Sequence, residues 1–187
     1  MRLLVIGLDS VPADLLFNEL IDDLPNIRMM VENGVSSILE SCHPPITIPA
    51  WMVMMTSKSP GELGIYGFRH RRGYSYTDGW IADSTSIRAK KVWDYLAEMG
   101  KRSCIIGVPP SYPPYPINGN LISCFITPSD KVDYTYPKEL RHEIEQLVGR
   151  YMFDVVFRTE DRDTILKDLY EMTEKRFAVV KYMLKKE

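Results

Sequence analysis

The chain has 187 residues, room for one domain with a sizeable core or for part of a larger one. With 45 % apolar and 26 % charged residues it reads as a folded globular chain and not as a disordered one. A net charge of −2 with both signs interspersed gives no footprint for a nucleic acid or a membrane surface, and no apolar run approaches the roughly 20 residues of a membrane span.

Leu3 to Leu8 is a continuous apolar run rich in branched residues, the pattern of a buried parallel strand. It is too short, and too quickly ended by Asp9, to be a signal peptide. A helix is expected next, with Ser10 as its cap, Pro12 in its first turn, and Leu15, Leu16, Glu19 and Leu20 at helical spacing. Asp9 would then stand at the carboxyl end of a central strand, where open α/β sheets place their ligands. A carboxylate buried there needs a cation. The alternative is that Asp9 caps the helix that follows.

Pro25 starts a second helix carrying Ile27, Met30 and Val31, and Gly34 ends it. Val35 to Leu39 is a second expected strand, leading into Ser41-Cys42-His43-Pro44-Pro45-Ile46-Thr47-Ile48-Pro49-Ala50-Trp51. Proline is favoured in the first helical turn because its missing N–H would have had no partner there. Pro49 therefore marks a helix start and puts Thr47 at or next to the N-cap. Free N–H groups and the positive end of the helix dipole face an incoming anion at such a point. A threonine oxygen so placed could attack phosphorus while backbone donors hold the phosphoryl oxygens. Plain capping by Thr47 is the competing reading.

Thr56-Ser57-Lys58-Ser59-Pro60-Gly61 is a turn by composition. The cluster Arg69-His70-Arg71-Arg72 could meet a phosphate, since Arg forks match phosphate oxygens, or could be a solvated loop. Residues 74–86 suggest a short hairpin or loop. Lys90 to Met99 is expected to be a helix with Val92, Trp93, Leu96 and Met99 inward. Expected strands are Ser103 to Val108, Leu121 to Ile126 and Met152 to Phe157. The proline-rich stretch from Pro109 to Pro116 must be an extended loop, read as a rigid crossover in preference to a ligand for another domain. Pro137 opens a helix with Leu140, Ile144 and Leu147, closed by Gly149. Thr164 to Leu184 forms a long amphipathic helix. Cys42, Cys104 and Cys124 make no metal pattern and read as reduced thiols of a cytoplasmic protein.

Asp9 after the first apolar run and Thr47 before a helix form a recognisable pair. Together with Leu4-Val5-Ile6-Gly7-Leu8-Asp9, Pro44-Pro45-Ile46-Thr47-Ile48-Pro49-Ala50-Trp51, Thr56-Ser57-Lys58-Ser59-Pro60-Gly61 and Gly64-Ile65-Tyr66-Gly67-Phe68, the pattern resembles the amino-terminal part of the type I phosphodiesterase/nucleotide pyrophosphatase family, within the alkaline phosphatase superfamily. The resemblance continues through Val92-Trp93-Asp94, Val108-Pro109, Tyr112-Pro113-Pro114 and Tyr136-Pro137-Lys138-Glu139-Leu140 to the final helix.

The resemblance implies a three-layer α/β/α fold with a mostly parallel sheet, alkaline-phosphatase-like and incomplete. Residues 1–187 would be the amino-terminal portion of a larger catalytic domain, with about 66–160 including part of a cap. It further implies phosphoryl transfer at two divalent ions, zinc by preference, with Asp9 and Thr47 as ligands of one ion and Thr47 as the nucleophile. A cation favours the alkoxide of an otherwise weak threonine nucleophile, and two ions about 4 Å apart can stabilise the attacking and leaving oxygens. The implied substrate is a small phosphoester or nucleotide.

Thr56-Ser57 stands where members of the family often have Thr-Gly, and Leu63-Gly64 where they have His-Gly. The family's remaining Asp and His ligands, including an Asp-His-Gly stretch, have no counterpart: the histidines are His43, His70 and His142, none at a ligand position. Catalytic zinc needs about three protein ligands. The chain is therefore expected to bind metal weakly, to hydrolyse nothing efficiently, and to self-associate through a truncated sheet. Rival readings are a phosphomutase or phosphonate hydrolase of the same superfamily, and a non-catalytic binding or assembly module. A sulfatase is disfavoured because Cys42-His43-Pro44-Pro45-Ile46 has Ile46 where the Cys/Ser-x-Pro-x-Arg motif needs arginine.

Overall fold

The computed structural model describes residues 2–186. Helix α1 spans Pro25–Asn33, α2 Thr47–Thr56, α3 Pro60–Leu63, α4 Val92–Glu98, α5 Leu140–Val148 and α6 Arg162–Lys186. Strands β1 (Arg69–Arg71) and β2 (Gly79–Ile81) form an antiparallel hairpin. Strands β3 (Ser103–Ile106), β4 (Gly119–Ile122) and β5 (Thr135–Tyr136) form one sheet, parallel between β3 and β4 and antiparallel between β4 and β5. This α/β content with a mixed sheet is consistent with an alkaline-phosphatase-like domain. Among the described residues only the β3–β4 pair is parallel, so the expected mostly parallel sheet is not seen in them.

Three expected strands are absent for a common reason: a strand exists only against a partner. Leu3 to Leu8 and Val35 to Leu39 run without a ladder, and Leu3, Val5, Val35, Ile38 and Leu39 are exposed. Residues 152–157 are likewise not a strand, because helix α6 takes their carbonyls instead. Arg176 donates from Nε to Met152 O at 3.3 Å and from Nη2 to Phe153 O. The helix expected after Asp9 opens without a Ser10 cap. Ser10 is left-handed at φ 55°, and the following helical segment includes a π-helical turn, Leu15–Glu19.

Proline and glycine punctuation places other boundaries correctly. Pro25 opens α1, Gly34 follows it in extended conformation, and Gly149 follows α5. Helix α4 is shifted from expectation: Trp93 is buried, while Val92 and Met99 face solvent, so its buried side is narrower than a helical stripe. In α5, Leu140 and Ile144 are buried but Leu147 is exposed.

The loop from Pro109 to Pro116 packs inside the fold. Pro109, Pro110 and Ser111 are buried, and Ser84 donates from its amide to Tyr112 O at 2.8 Å and from Oγ to Pro113 O at 2.6 Å. It is the crossover between parallel strands that such a pairing requires.

Two cores result. One holds Ile122, Tyr134, Leu140, Ile144, Tyr151, Phe153, Val179 and Met183, joining the sheet to α5 and α6. Tyr134 and Tyr151 each meet Phe153 edge-on at 5.0 Å, an arrangement aromatic quadrupoles favour. The second holds Ile48, Met52, Ile65, Ala82 and Ile87, joining α2 to the hairpin.

Outside the first core, Glu143 of α5 accepts from Tyr182 at 2.6 Å and from Lys186, both on α6. These bonds hold its carboxyl below the usual range, with the Lys186 bond the larger cause and the Tyr182 bond the next. A lowered folded-state pKa means the contribution is present above the unfolded value and lost as pH falls through the folded one. The site is solvent-facing, so Glu143→Gln is expected to cost only about 0.5–1 kcal/mol at pH 7. Urea titrations should show that difference shrinking as the pH is taken below the carboxylate range.

Candidate active site

Ile46 is extended (φ −114°, ψ 145°) and acts as N-cap of α2, so Thr47 is the first helical residue. The first intrahelical bond runs from Ala50 N to Ile46 O at 3.0 Å. Pro49 has no N–H, which leaves the amides of Thr47 and Ile48 as donors the helix itself cannot satisfy. The N-cap side chain, that of Ile46, makes no capping bond, and the Thr47 hydroxyl is turned to a distant partner. It donates to Asp9 Oδ2 at 3.4 Å, across 38 residues of sequence. The capping alternative for Thr47 thus has no hydrogen bond behind it.

Asp9 is held by a second contact. Trp51 Nε1 donates to Asp9 Oδ1 at 3.3 Å, so the carboxylate spans positions i and i+4 of α2, which lie on one helix face. The backbone of the 3–8 run comes close enough to Trp51 that a Cβ on Gly7 would sit 2.0 Å from its Cη2. Gly7 is therefore needed for the indole to lie over this segment and reach Asp9. The left-handed Ser10 turns the chain away immediately afterwards, a conformation costing a non-glycine residue about 1 kcal/mol. Trp51 was not singled out from sequence. Its signal was its place one turn after Thr47.

Asp9 itself is exposed, which removes the argument that burial alone demands a cation there. His43 is exposed and lies 3.8 Å from Glu40, and Cys42 Sγ donates to Pro44 O at 3.4 Å. All three cysteines are free. Among the described residues no group of three or more His, Cys, Asp or Glu side chains could hold a metal ion. One carboxylate and one hydroxyl fall short of the roughly three protein donors of catalytic zinc. The described residues therefore do not by themselves make a metal centre.

Behind α2, its carboxyl end is closed by a left-handed Ser57 (φ 56°). Helix α3 follows on a reciprocal Ser59–Glu62 capping box. Bonds from the Ser59 amide and from Lys58 hold the Glu62 carboxyl below its usual range, and Gly64 ends the turn left-handed. The stretch expected to be a turn is thus a helix stop and a helix start joined, returning the chain through Ile65 to the core under Thr47.

These features define a class first: an α/β protein with a mixed sheet, no helix among the described residues long and apolar enough to cross a membrane, and a hydroxyl–carboxylate pair at a helix N-terminus. The chain belongs to the type I phosphodiesterase / nucleotide pyrophosphatase family, whose model matches residues 3–184. No curated protein and no solved structure matches it.

Proposed function

We propose that the chain contributes the nucleophile of a metal-dependent phosphodiesterase or nucleotide pyrophosphatase, acting through a phosphothreonine at Thr47. The observation that carries this is the 3.4 Å approach of Thr47 Oγ1 to Asp9 Oδ2 at the start of α2. Thr47 Oγ1 attacks phosphorus, its O–P bond forms as the bond to the leaving oxygen breaks, and that oxygen departs with a proton. Water then cleaves the phosphothreonine and restores the hydroxyl. The amides of Thr47 and Ile48 are placed to hold phosphoryl oxygens, and Asp9 orients the attacking oxygen by accepting its hydrogen bond.

Members of this family use divalent metal ions. Asp9 and Thr47 are the two donors this chain offers, with zinc as the proposed metal. The further donors come from outside the described residues, in a three-layer domain of which 1–187 is the amino-terminal portion and about 66–160 part of a cap. The exposed runs at residues 3–8 and 35–39 support the same view, since they present apolar strand-like segments with nothing paired to them. Self-association through those runs, and a cytoplasmic location, belong to this reading. A phosphomutase or phosphonate hydrolase would use the same pair and differ in substrate.

These 187 residues alone are expected to show no tight zinc site by calorimetry and no zinc-dependent turnover of bis-p-nitrophenyl phosphate. Turnover that is lost in Thr47→Ala would overturn the claim of incompleteness and leave the nucleophile standing. A second reading, a non-catalytic binding or assembly module, is favoured by the absent third donor. Phosphothreonine trapped at Thr47 once donors are restored counts against it.

A further inference from the structure

The hairpin β1–β2 is attached to the nucleophile's helix. Ile65 just before it and Ala82 just after it share a buried cluster with Ile48 and Met52 of α2, and Trp80 packs against that cluster. Gly67, at the hairpin's foot, adjoins Ile46, the N-cap residue of α2: a Cβ there would lie 3.8 Å from Ile46 Cδ1. The hairpin therefore rises from the same packed unit that fixes Thr47.

Its two faces differ. His70 and Trp80 are paired across the strands and stack at 4.5 Å with their planes 20° apart, half-buried, while His70 Nε2 meets Gly67 O at 3.2 Å. This face anchors the hairpin. Arg69 and Arg71 point the other way and are exposed, opposite Ile81 and Gly79. Gly79 sets no side chain across from Arg71, whose guanidinium lies 4.3 Å above the exposed Tyr76 ring. Between Tyr66 and Ile81 three arginines stand against one carboxylate, Asp78, and none of the three makes an ion pair among the described residues. Tyr74 and Tyr76 are both open to solvent. The Arg71–Tyr76 contact lies at the exposed end of the hairpin, where rings are interleaved with guanidinium groups that have no carboxylate partner among the described residues. They suit a ligand with phosphate oxygens and a flat ring.

We propose that the β1–β2 hairpin is a substrate-selecting arm, in which Arg69 and Arg71 bind a second phosphate and Tyr76 the ring of a nucleoside diphosphate-type substrate. This rests on Thr47 as the group that meets the first phosphorus. Gly67 at the foot of the arm adjoins Ile46, the N-cap of α2, which sets the base of the arm beside the end of the helix that carries Thr47. The arm selects ring-bearing substrates with a second phosphate over small diesters that carry a single phosphate charge.

The test is calorimetric titration of the 187-residue chain with ADP in EDTA at near-physiological salt. Adenosine is the probe lacking phosphate, and inorganic phosphate the probe lacking the ring. ADP should bind more tightly than either. The double variant Arg69→Ala/Arg71→Ala should weaken ADP about tenfold or more, and Tyr76→Ala should bring ADP towards inorganic phosphate. Arg162→Ala/Lys181→Ala, which removes two positive charges from exposed positions of α6, should leave ADP binding within about twofold. The arm is overturned if ADP does not bind at millimolar concentration. It is equally overturned if adenosine binds as well as ADP, or if the two double variants weaken ADP equally. Because binding is read without metal or turnover, this outcome is separable from the fate of Thr47 as nucleophile.

Discussion

Gly119→Ala is expected to be the most damaging single-methyl change in the chain, lowering stability by about 3–5 kcal/mol. Gly119 opens β4 with φ 140°, a conformation side chains rarely adopt, and an added Cβ would lie 1.9 Å from Ser103 O and 2.9 Å from Ser103 N. Those atoms are the backbone of the paired strand, so nothing flexible can yield. Either the parallel ladder opens at the Ser103–Gly119 pair or Gly119 rotates out of its conformation. Backbone strain and overpacking each cost about 1–3 kcal/mol. Opening the ladder also loosens Leu121 and Ile122, both at 0 % exposure. Gly100→Ala is the control: it is also left-handed (φ 69°) but has nothing within 4 Å of the new methyl, so about 1 kcal/mol is expected. Urea midpoints of the two variants check the difference, against a total stability of about 5–15 kcal/mol for a typical domain.

Thr47→Ala has the largest expected effect on chemistry. On the proposed mechanism, in a polypeptide that also carries the further metal donors, kcat for bis-p-nitrophenyl phosphate should fall by about four orders of magnitude or more, since that mechanism makes Thr47 Oγ1 the bond-forming atom. Thr47→Ser keeps that atom and should retain activity within about tenfold. The stability effect should be small for both. If Thr47 served only as a cap, the pattern would invert: about 1 kcal/mol of stability lost on going to alanine and kcat unchanged. Mass spectrometry of the quenched reaction adds an independent readout, phosphate on the peptide carrying Thr47.

The Thr47 pairing illustrates how far local chemistry could be read in advance. Proline at the third helical position announces the start of α2 without reference to anything distant, because the constraint lies in its own ring. The same holds for Pro25 at the first position of α1 and Gly149 after α5. The Asp9–Thr47 contact was legible only through the family pattern, since nothing local links residues 38 positions apart. Trp51's bond to Asp9 was not legible, although its position one turn beyond Thr47 put it on the right face.

The misjudged strands fail for the opposite reason. Hydrophobic runs at 3–8, 35–39 and 152–157 report that a segment wants burial, and say nothing about whether a partner is present. At 152–157 the decision fell to Arg176, 23 residues from Phe153, whose guanidinium occupies carbonyls that a neighbouring strand would have used. The basic run at Arg69 was equally undecided, because charge alone does not distinguish a solvated loop from an anchored hairpin. The His70–Trp80 stack and the shared cluster with α2 decided it.

By itself the sequence marked the starts of α1 and α2, the ends of α1 and α5, the crossover nature of the proline-rich loop and the family pattern, and it singled out Asp9 and Thr47 as candidates, since each is written in residue types and short spacings. Only the tertiary structure decided that these two side chains meet, that the tryptophan one turn later shares the carboxylate, and that the arginine hairpin is built onto the same core. Those outcomes depend on packing between segments tens of residues apart, where a glycine that admits an indole or a strand that lacks a neighbour outweighs any local preference.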